Sequence, residues 1–237
     1  MDNAVSCTIV LPCYNPQQYW VSRIVEQHKA LSARLGAPIS IVLVNDGSTT
    51  GITQNDIDIL RKEIPSFEYV TYAGNKGKGY ALRQGVARAD TDIIIYTDID
   101  FPYSTDSVAS IFETLYKEGY DIAIGIKNSS YYAKVPPVRR YISKILRSLI
   151  GIFFRIPVTD TQCGLKGFKC EVKDVFLSTT INRYLFDLEF VRNVYKQQYK
   201  AKPVPVQLNN NVVFRRMNYR LLIPEIINFV KIIFRKP

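Results

Sequence analysis

Asp98 and Asp100 are the pair of residues with the clearest chemical potential. They follow the apolar run Ile93–Tyr96, and in a strand residues i and i+2 face the same side. Both carboxylates can then face one hard cation. The same Asp-x-Asp spacing also occurs where a carboxylate caps the next helix. A second motif, Gly74-Asn75-Lys76-Gly77-Lys78-Gly79, opens a helical stretch. Backbone N–H groups and Lys76 or Lys78 there could meet a nucleotide phosphate at a helix N-terminus. The loop has neither the P-loop nor the GxGxxG spacing, and it also suits a solvated turn.

These residues need a scaffold that brings them together. Short apolar runs at Cys7–Leu11, Ile39–Val44, Ile93–Tyr96 and Ile122–Ile124 are nearly continuous rather than alternating. That pattern predicts parallel strands buried on both faces. Helical patterns near 18–35, 52–63, 79–88 and 105–118 separate them, so the expected fold is α/β with a mainly parallel central sheet flanked by helices. Ligands of such sheets lie beyond the carboxyl ends of the strands. The segments there are polar: Pro12-Cys13-Tyr14-Asn15, Asn45-Asp46-Gly47-Ser48-Thr49 and Thr97-Asp98-Ile99-Asp100. No linker or repeat divides the chain, so one domain over residues 1–237 is expected, with 1–125 as the regular half.

Composition narrows the chemistry. The chain has 237 residues and a formal net charge of +10, which favours an anionic partner. The cysteines Cys7, Cys13, Cys163 and Cys170 show no CxxC spacing and His28 is the sole histidine, so a Cys/His zinc site is disfavoured. His28 reads as a solvated helix residue and Cys163 as a packed thiol. No apolar run is long enough to span a bilayer and no signal-peptide pattern opens the chain, so a cytoplasmic, non-spanning protein is expected.

Four motifs in order, Ile9-Val10-Leu11-Pro12-Cys13-Tyr14-Asn15, Val44-Asn45-Asp46-Gly47-Ser48-Thr49, Asn75-Lys76-Gly77-Lys78-Gly79 and Asp98-Ile99-Asp100, resemble the inverting family-2 glycosyltransferases of GT-A fold. Asp160-Thr161-Gln162-Cys163-Gly164-Leu165-Lys166 and Arg183-Tyr184-Leu185-Phe186-Asp187-Leu188-Glu189 look like the dolichyl- and polyprenyl-phosphate sugar synthases, particularly the dolichyl-phosphate glucosyltransferase branch. The resemblance implies that Pro12, Tyr14, Asn45 and Asp46 hold the nucleoside of a nucleotide-sugar, with Lys76, Gly77 and Lys78 beside them. It implies Mg²⁺ or Mn²⁺ on Asp98 and Asp100, bridging the donor diphosphate. Lys127, Arg139 and Arg140 match positions around the acceptor phosphate, with Arg139 four residues before Ser143 as in the mannosyl branch. Asp160, Asp187 and Glu189 are candidates for orienting acceptor or sugar, Asp160 and Asp187 before Glu189. Asp187 and Glu189 also fit an acidic pair favoured by a helix N-terminus. Two positions depart from the family pattern: Asn45 stands where many relatives have Asp, and Pro102 where the mannosyl branch often has Gln.

The second half, 126–237, reads as the acceptor- and membrane-facing part. Ile142, Ile145, Leu146, Leu149, Ile150 and Phe153 form one helical face, with Arg140, Lys144, Arg147 and Arg155 near another stripe. Leu222, Ile223, Ile226, Ile227, Val230, Ile233 and Phe234 do the same, with Arg215, Arg216, Arg220, Lys231, Arg235 and Lys236 supplying charge. Basic amphipathic helices lie in the headgroup plane of anionic membranes; each alone also fits a core-packed helix with a solvated face. The expected function is therefore metal-dependent, inverting transfer of a hexose to a polyprenyl phosphate at the cytoplasmic membrane face, from UDP-glucose in preference to GDP-mannose. A membrane partner subunit or homo-oligomer is compatible with it. The alternatives are a soluble enzyme of the same fold acting on a sugar hydroxyl, and a basic nucleic-acid-binding protein. The last has no recognition motif and leaves the Asp pair unexplained.

Overall fold

The computed structural model describes residues 5–127, 137–209 and 222–234, apart from the side chains of Arg139 and Leu222. Its centre is a sheet of seven strands: β1 (Cys7–Cys13), β2 (Ile39–Asn45), β3 (Phe67–Thr71), β4 (Ile93–Tyr96), β5 (Ile122–Lys127), β6 (Lys166–Lys169) and β7 (Ala201–Val206). The order across the sheet is β3-β2-β1-β4-β6-β5-β7, with β6 antiparallel to both neighbours and the other pairs parallel. Helices α1 (Trp20–Leu35), α2 (Gln54–Glu63), α3 (Lys78–Arg88) and α4 (Thr105–Tyr116) connect the first five strands. Then come α5 (Pro137–Phe154), α6 (Lys173–Leu177), α7 (Phe186–Lys196) and α8 (Leu222–Phe234).

The expected α/β architecture is therefore present, and the four patterned helices fall within two residues of their expected limits. β3, β6 and β7 carried no strong signal. β3 is only half-buried along most of its length, and β7 contains Pro203 and Pro205, which suit its position at the sheet edge.

Alternation along the inner strands sends side chains to two cores. Ile9, Leu11, Ile41 and Leu43 pack towards α1, α2 and α4, whereas Val10, Val42 and Val44 pack towards α3, α6 and α7. Local signals set the helix limits. Thr53 and Asp56 form a reciprocal capping box at the start of α2, and Ser104 caps α4. His28 departs from expectation: it is buried, and its Nε2 lies 3.1 Å from the Ile39 carbonyl oxygen. It fills the seam between α1 and β2, which a polar stretch around it did not reveal.

α5 and α8 lie against each other. Phe229 of α8 meets the rings of Phe153 and Phe154 at 6.1 and 5.6 Å between centroids. Only part of each helix faces the core: Ile150 and Ile232 are buried, with Leu146, Phe154 and Phe229 packed beside them. Much of the expected apolar face instead points outward, including Ile145, Phe153, Ile223, Ile226, Ile227, Val230 and Phe234. Arg155 lies just beyond α5 in a left-handed conformation, and Arg215, Arg216, Arg220, Arg235 and Lys236 lie outside the described residues. Among the described residues no helix is long and apolar enough to cross a membrane.

α3 approaches the sheet through Gly85. A Cβ there would overlap Val10 Cγ1 and lie 2.8 Å from Val44 Cγ2. Gly85→Ala is expected to destabilise the fold by about 1–3 kcal/mol through overpacking, read as a lower midpoint in thermal unfolding.

Candidate active site

The strand order reverses between β1 and β4. Connections leave in opposite directions there, opening a crevice at the carboxyl ends of the two strands. Tyr14 at one side of it is exposed, while Pro12 remains within β1.

Asp46 organises the adjoining loops. Its Oδ1 accepts from the Tyr72 hydroxyl at 2.9 Å and the Lys76 amide at 2.7 Å; its Oδ2 accepts from Asn75 Nδ2 and the Gly77 amide, both at 2.9 Å. Burial, reinforced by Asp46, pushes the Tyr72 phenol well above its ordinary pKa, which keeps the donating proton in place. Asn45 does similar work: Oδ1 accepts from the Ser48 amide at 2.8 Å, and Nδ2 donates to the Tyr69 hydroxyl at 2.9 Å. Asn45 and Asp46 thus build the walls of the crevice, and the turn after β2 is drawn so close to Gly74 that Gly47, at φ 68°, has no room for a side chain. Gly77 is similarly tight against the Asn182 carbonyl, at φ 103°.

The Asp98–Asp100 segment is not strand. β4 ends at Tyr96, and a turn closed by the Phe101 amide donating to the Asp98 carbonyl at 2.9 Å carries both carboxylates. Phe101 sits at φ 42° with its ring in the core, and Arg23 Nη1 donates to the Asp100 carbonyl at 2.9 Å. The period-two argument therefore does not apply to this pair; a pinned turn presents them instead. Asp98 contacts the Lys78 ammonium, while Asp100 is exposed. Gly164 closes the other side: a Cβ there would lie 2.7 Å from Asp98 Oδ2. Next to Asp98, the buried Thr97 Oγ1 has no hydrogen-bond partner among the described residues.

Among the described residues no three His, Cys, Asp or Glu side chains form a metal cage. Asp98 and Asp100 supply hard oxygen donors on an open turn. That suits Mg²⁺ or Mn²⁺, which binds through one or two carboxylates and completes its shell with water and phosphate oxygens. The residues fit an ion shared with a diphosphate.

Beneath the crevice, Lys166 at the start of β6 is fully buried. Its Nζ lies 2.5 Å from Asp187 Oδ1 and donates to the Cys163 carbonyl at 2.6 Å. The Tyr96 hydroxyl donates to the same Asp187 oxygen at 2.6 Å, and burial, then the Asp187 charge, pushes that phenol far above its ordinary pKa. Lys166, Tyr96 and Gly164 had no assigned role in the sequence reading, although Lys166 and Gly164 lie within a motif segment. Asp160 is also buried and is held by Lys127, whose amide donates to Oδ2 at 2.9 Å and whose ammonium lies 3.4 Å from Oδ1. Lys127 Nζ also donates to the Gln162 carbonyl at 3.0 Å. The ammonium expected at an acceptor phosphate is thus engaged in the wall of the site. Glu189 accepts from the Thr180 and Ile181 amides at 2.9 and 2.8 Å and shapes the preceding loop. Arg140 is exposed on α5; the side chain of its neighbour Arg139 lies outside the described residues. Cys163 is buried beside the Tyr103 hydroxyl, as a packed thiol.

A hollow of about 890 Å³ lies away from Asp98, between the Pro16–Trp20 segment, α1 and α2. It is broad and open, and the strand-end chemistry marks the site better than volume does.

The profile described as Glycosyl transferase family 2 matches residues 8–176, well over half the chain. The chain belongs to glycosyl transferase family 2. Among curated relatives of this family-2 chain, it is 28% identical over 219 residues to dolichyl-phosphate beta-glucosyltransferase ALG5A of Trichomonas vaginalis, covering 87% of this chain and 66% of that protein. It is 23% identical over 224 residues to dolichyl-phosphate beta-glucosyltransferase of Saccharomyces cerevisiae, covering 86% and 67%. The chain thus spans about two thirds of the length of these relatives. The fold is similar to glucosyl-3-phosphoglycerate synthase from Mycobacterium tuberculosis in complex with Mn²⁺, UDP and glucosyl-3-phosphoglycerate, with TM-score 0.64, 13% identity, and 98% and 81% of the two chains covered.

The buried pair under this family-2 site is open to a stability test. Lys166→Met strands Asp187 and is expected to cost about 3–5 kcal/mol in urea unfolding. Adding Asp187→Leu recovers part of that loss, reduced by the orphaned Tyr96 hydroxyl.

Proposed function

We propose that this family-2 chain transfers a hexose, with inversion, from a nucleotide-sugar to a polyprenyl or dolichyl phosphate. UDP-glucose is the favoured donor, because the Asp160–Lys166 segment resembles the glucosyl branch and two curated relatives are named dolichyl-phosphate beta-glucosyltransferase. The carrying observation is the state of the buried carboxylates. Asp160 is held by Lys127, Asp187 by Lys166 and Tyr96, and Glu189 by backbone amides. Each already accepts hydrogen bonds from donors of the protein itself. A sugar hydroxyl needs a base during attack, whereas a phosphate monoester arrives already ionised. The geometry therefore favours a phosphate acceptor over the soluble, hydroxyl-directed alternative.

In this reading the nucleoside lies along Pro12, Tyr14 and the Asn45–Asp46 turn, with the diphosphate at the Lys76–Lys78 loop and the N-terminus of α3. Asp98 and Asp100 would hold Mg²⁺ or Mn²⁺. Such an ion offsets the charge that develops on the departing nucleoside diphosphate. Arg139 and Arg140 would meet the acceptor phosphate, with Lys127 held in the wall of the site by Asp160. A phosphate oxygen attacks the anomeric carbon opposite the leaving group; the new C–O bond forms as the bond to the diphosphate breaks, and that bonding pair leaves with UDP. The transition state has oxocarbenium character, and an α-linked donor gives a β-linked product. Asp160 and Asp187 orient sugar and acceptor from the crevice floor.

A lipid acceptor also accounts for the outward apolar residues of α5 and α8. Ile226 and Phe234 are 63% and 79% exposed, Ile152 is 68% exposed, and Arg140, Lys144 and Lys231 stand on the same two helices. We place this face on the cytoplasmic surface of an anionic membrane, as a peripheral contact.

Incubation with Mn²⁺, a detergent-dispersed polyprenyl phosphate and labelled UDP-glucose or GDP-mannose tests the reaction. Label should enter the lipid phase from UDP-glucose and fall by about 100-fold or more in Asp98→Ala, the scale of losing charge stabilisation at the leaving group. Slow metal-dependent donor hydrolysis without lipid labelling would move the acceptor to a sugar hydroxyl. In a separate sedimentation assay, Ile226→Asp combined with Phe234→Asp should weaken binding to phosphatidylserine-containing vesicles by about tenfold or more.

A further inference from the structure

Lys78 is the first residue of α3, directly after the N-cap residue Gly77. Its side chain is 19% exposed, and its ammonium contacts Asp98 Oδ1, a carboxylate that is 40% exposed. The contact is an ion pair in a largely buried setting, and Asp187 is a second negative charge acting on the same ammonium. On the far side, Gly164 brings backbone close to both groups: a Cβ there would lie 2.7 Å from Asp98 Oδ2 and 3.6 Å from Lys78 Nζ. The site is narrow, and one positive charge already rests in it.

That charge stands on a carboxylate assigned above to a divalent metal. An ammonium and a divalent ion on neighbouring positions of one carboxylate repel each other strongly at low effective dielectric. For the ion to bind, Lys78 has to leave, and a buried ammonium needs a new anionic partner. The diphosphate is that partner, since the loop on which Lys78 stands is the one that would receive it.

We propose that Lys78 is a built-in counter-ion of the metal site, seated on Asp98 in the donor-free enzyme and transferred to the donor diphosphate when metal and nucleotide bind together. The inference rests on the metal reading of Asp98. Metal alone then binds poorly, because it displaces Lys78 with no anion to receive it. Nucleoside diphosphate removes that penalty, so metal and nucleotide strengthen each other's binding, and by linkage the effect is reciprocal. Lys78 acts here as a positioning residue that couples two ligands. It also keeps the Asp98 turn neutralised while the crevice is empty.

The test measures Mn²⁺ binding to the full chain by the electron paramagnetic resonance of free Mn²⁺, with and without UDP. Wild type, Lys78→Met, Lys78→Gln and Asp98→Asn are compared, with circular dichroism confirming that each is folded. Without nucleotide, Lys78→Met and Lys78→Gln should bind Mn²⁺ about tenfold more tightly than wild type, and the strengthening by UDP should shrink by a similar factor. Two substitutions are used so that misfolding of one leaves the other to decide. Unchanged or weaker Mn²⁺ binding in the Lys78 variants, with Asp98→Asn losing it, overturns the counter-ion inference alone. With UDP present, Asp98→Asn binding Mn²⁺ as well as wild type overturns the metal assignment on which it rests.

Discussion

Lys166 places an ammonium in the fully buried part of the sheet, and the crevice above depends on how that charge is held. Isolated, it would carry a large desolvation cost. Asp187, the Cys163 carbonyl and the ring of Tyr96, 5.5 Å away, surround it instead. The contact joins β4, β6 and α7 at one point. Since Asp187 lies in the first turn of α7, the pair also sets how that helix and its preceding loop stand against the Gly77–Gly79 segment. Gly79 there donates to the Asn182 carbonyl at 2.8 Å.

Asp46 supplies the second point of assembly. With two amides, one side-chain amide and one phenol as donors, a single carboxylate holds the Asn75–Gly77 turn against the end of β2. Charge-assisted hydrogen bonds of this kind are stronger than neutral ones, so the loop proposed to receive a diphosphate is held in shape by the protein's own donors. Such preorganisation lowers the cost of binding a flexible anionic donor.

α8 links the outer apolar face to this assembly. Glu225 accepts from the Tyr184 and Leu185 amides at 3.3 and 3.1 Å, immediately before α7, while Phe229 packs on Phe153 and Phe154 of α5. Burial raises the Glu225 pKa, and the two amides act in the opposite direction. The helix carrying exposed isoleucines is therefore tied to the loop beside Asp187, and a lipid surface under α5 and α8 would lie close to the crevice.

The sequence by itself determined the layered α/β scaffold, because β-branched runs and amphipathic repeats are local patterns: β1, β2, β4 and β5, and α1 to α4, were all visible. It also pointed to the strand-end motifs through Asp46 and Asp98, whose residue type is unusual directly after buried strands, and to the Gly74–Gly79 loop through its glycines and lysines. What it left undecided depends on partners far along the chain. β6 runs antiparallel between β4 and β5 because of pairing across the sheet, and four residues carry no such preference. His28 is buried by β2, and Asp98 is presented by a turn that Phe101 and Arg23 secure. Likewise, whether Asp160 and Asp187 have partners is set by Lys127, 33 residues from Asp160, and by Lys166, 21 residues from Asp187. A carboxylate's chemistry follows from its neighbours in space, and only tertiary packing chooses those.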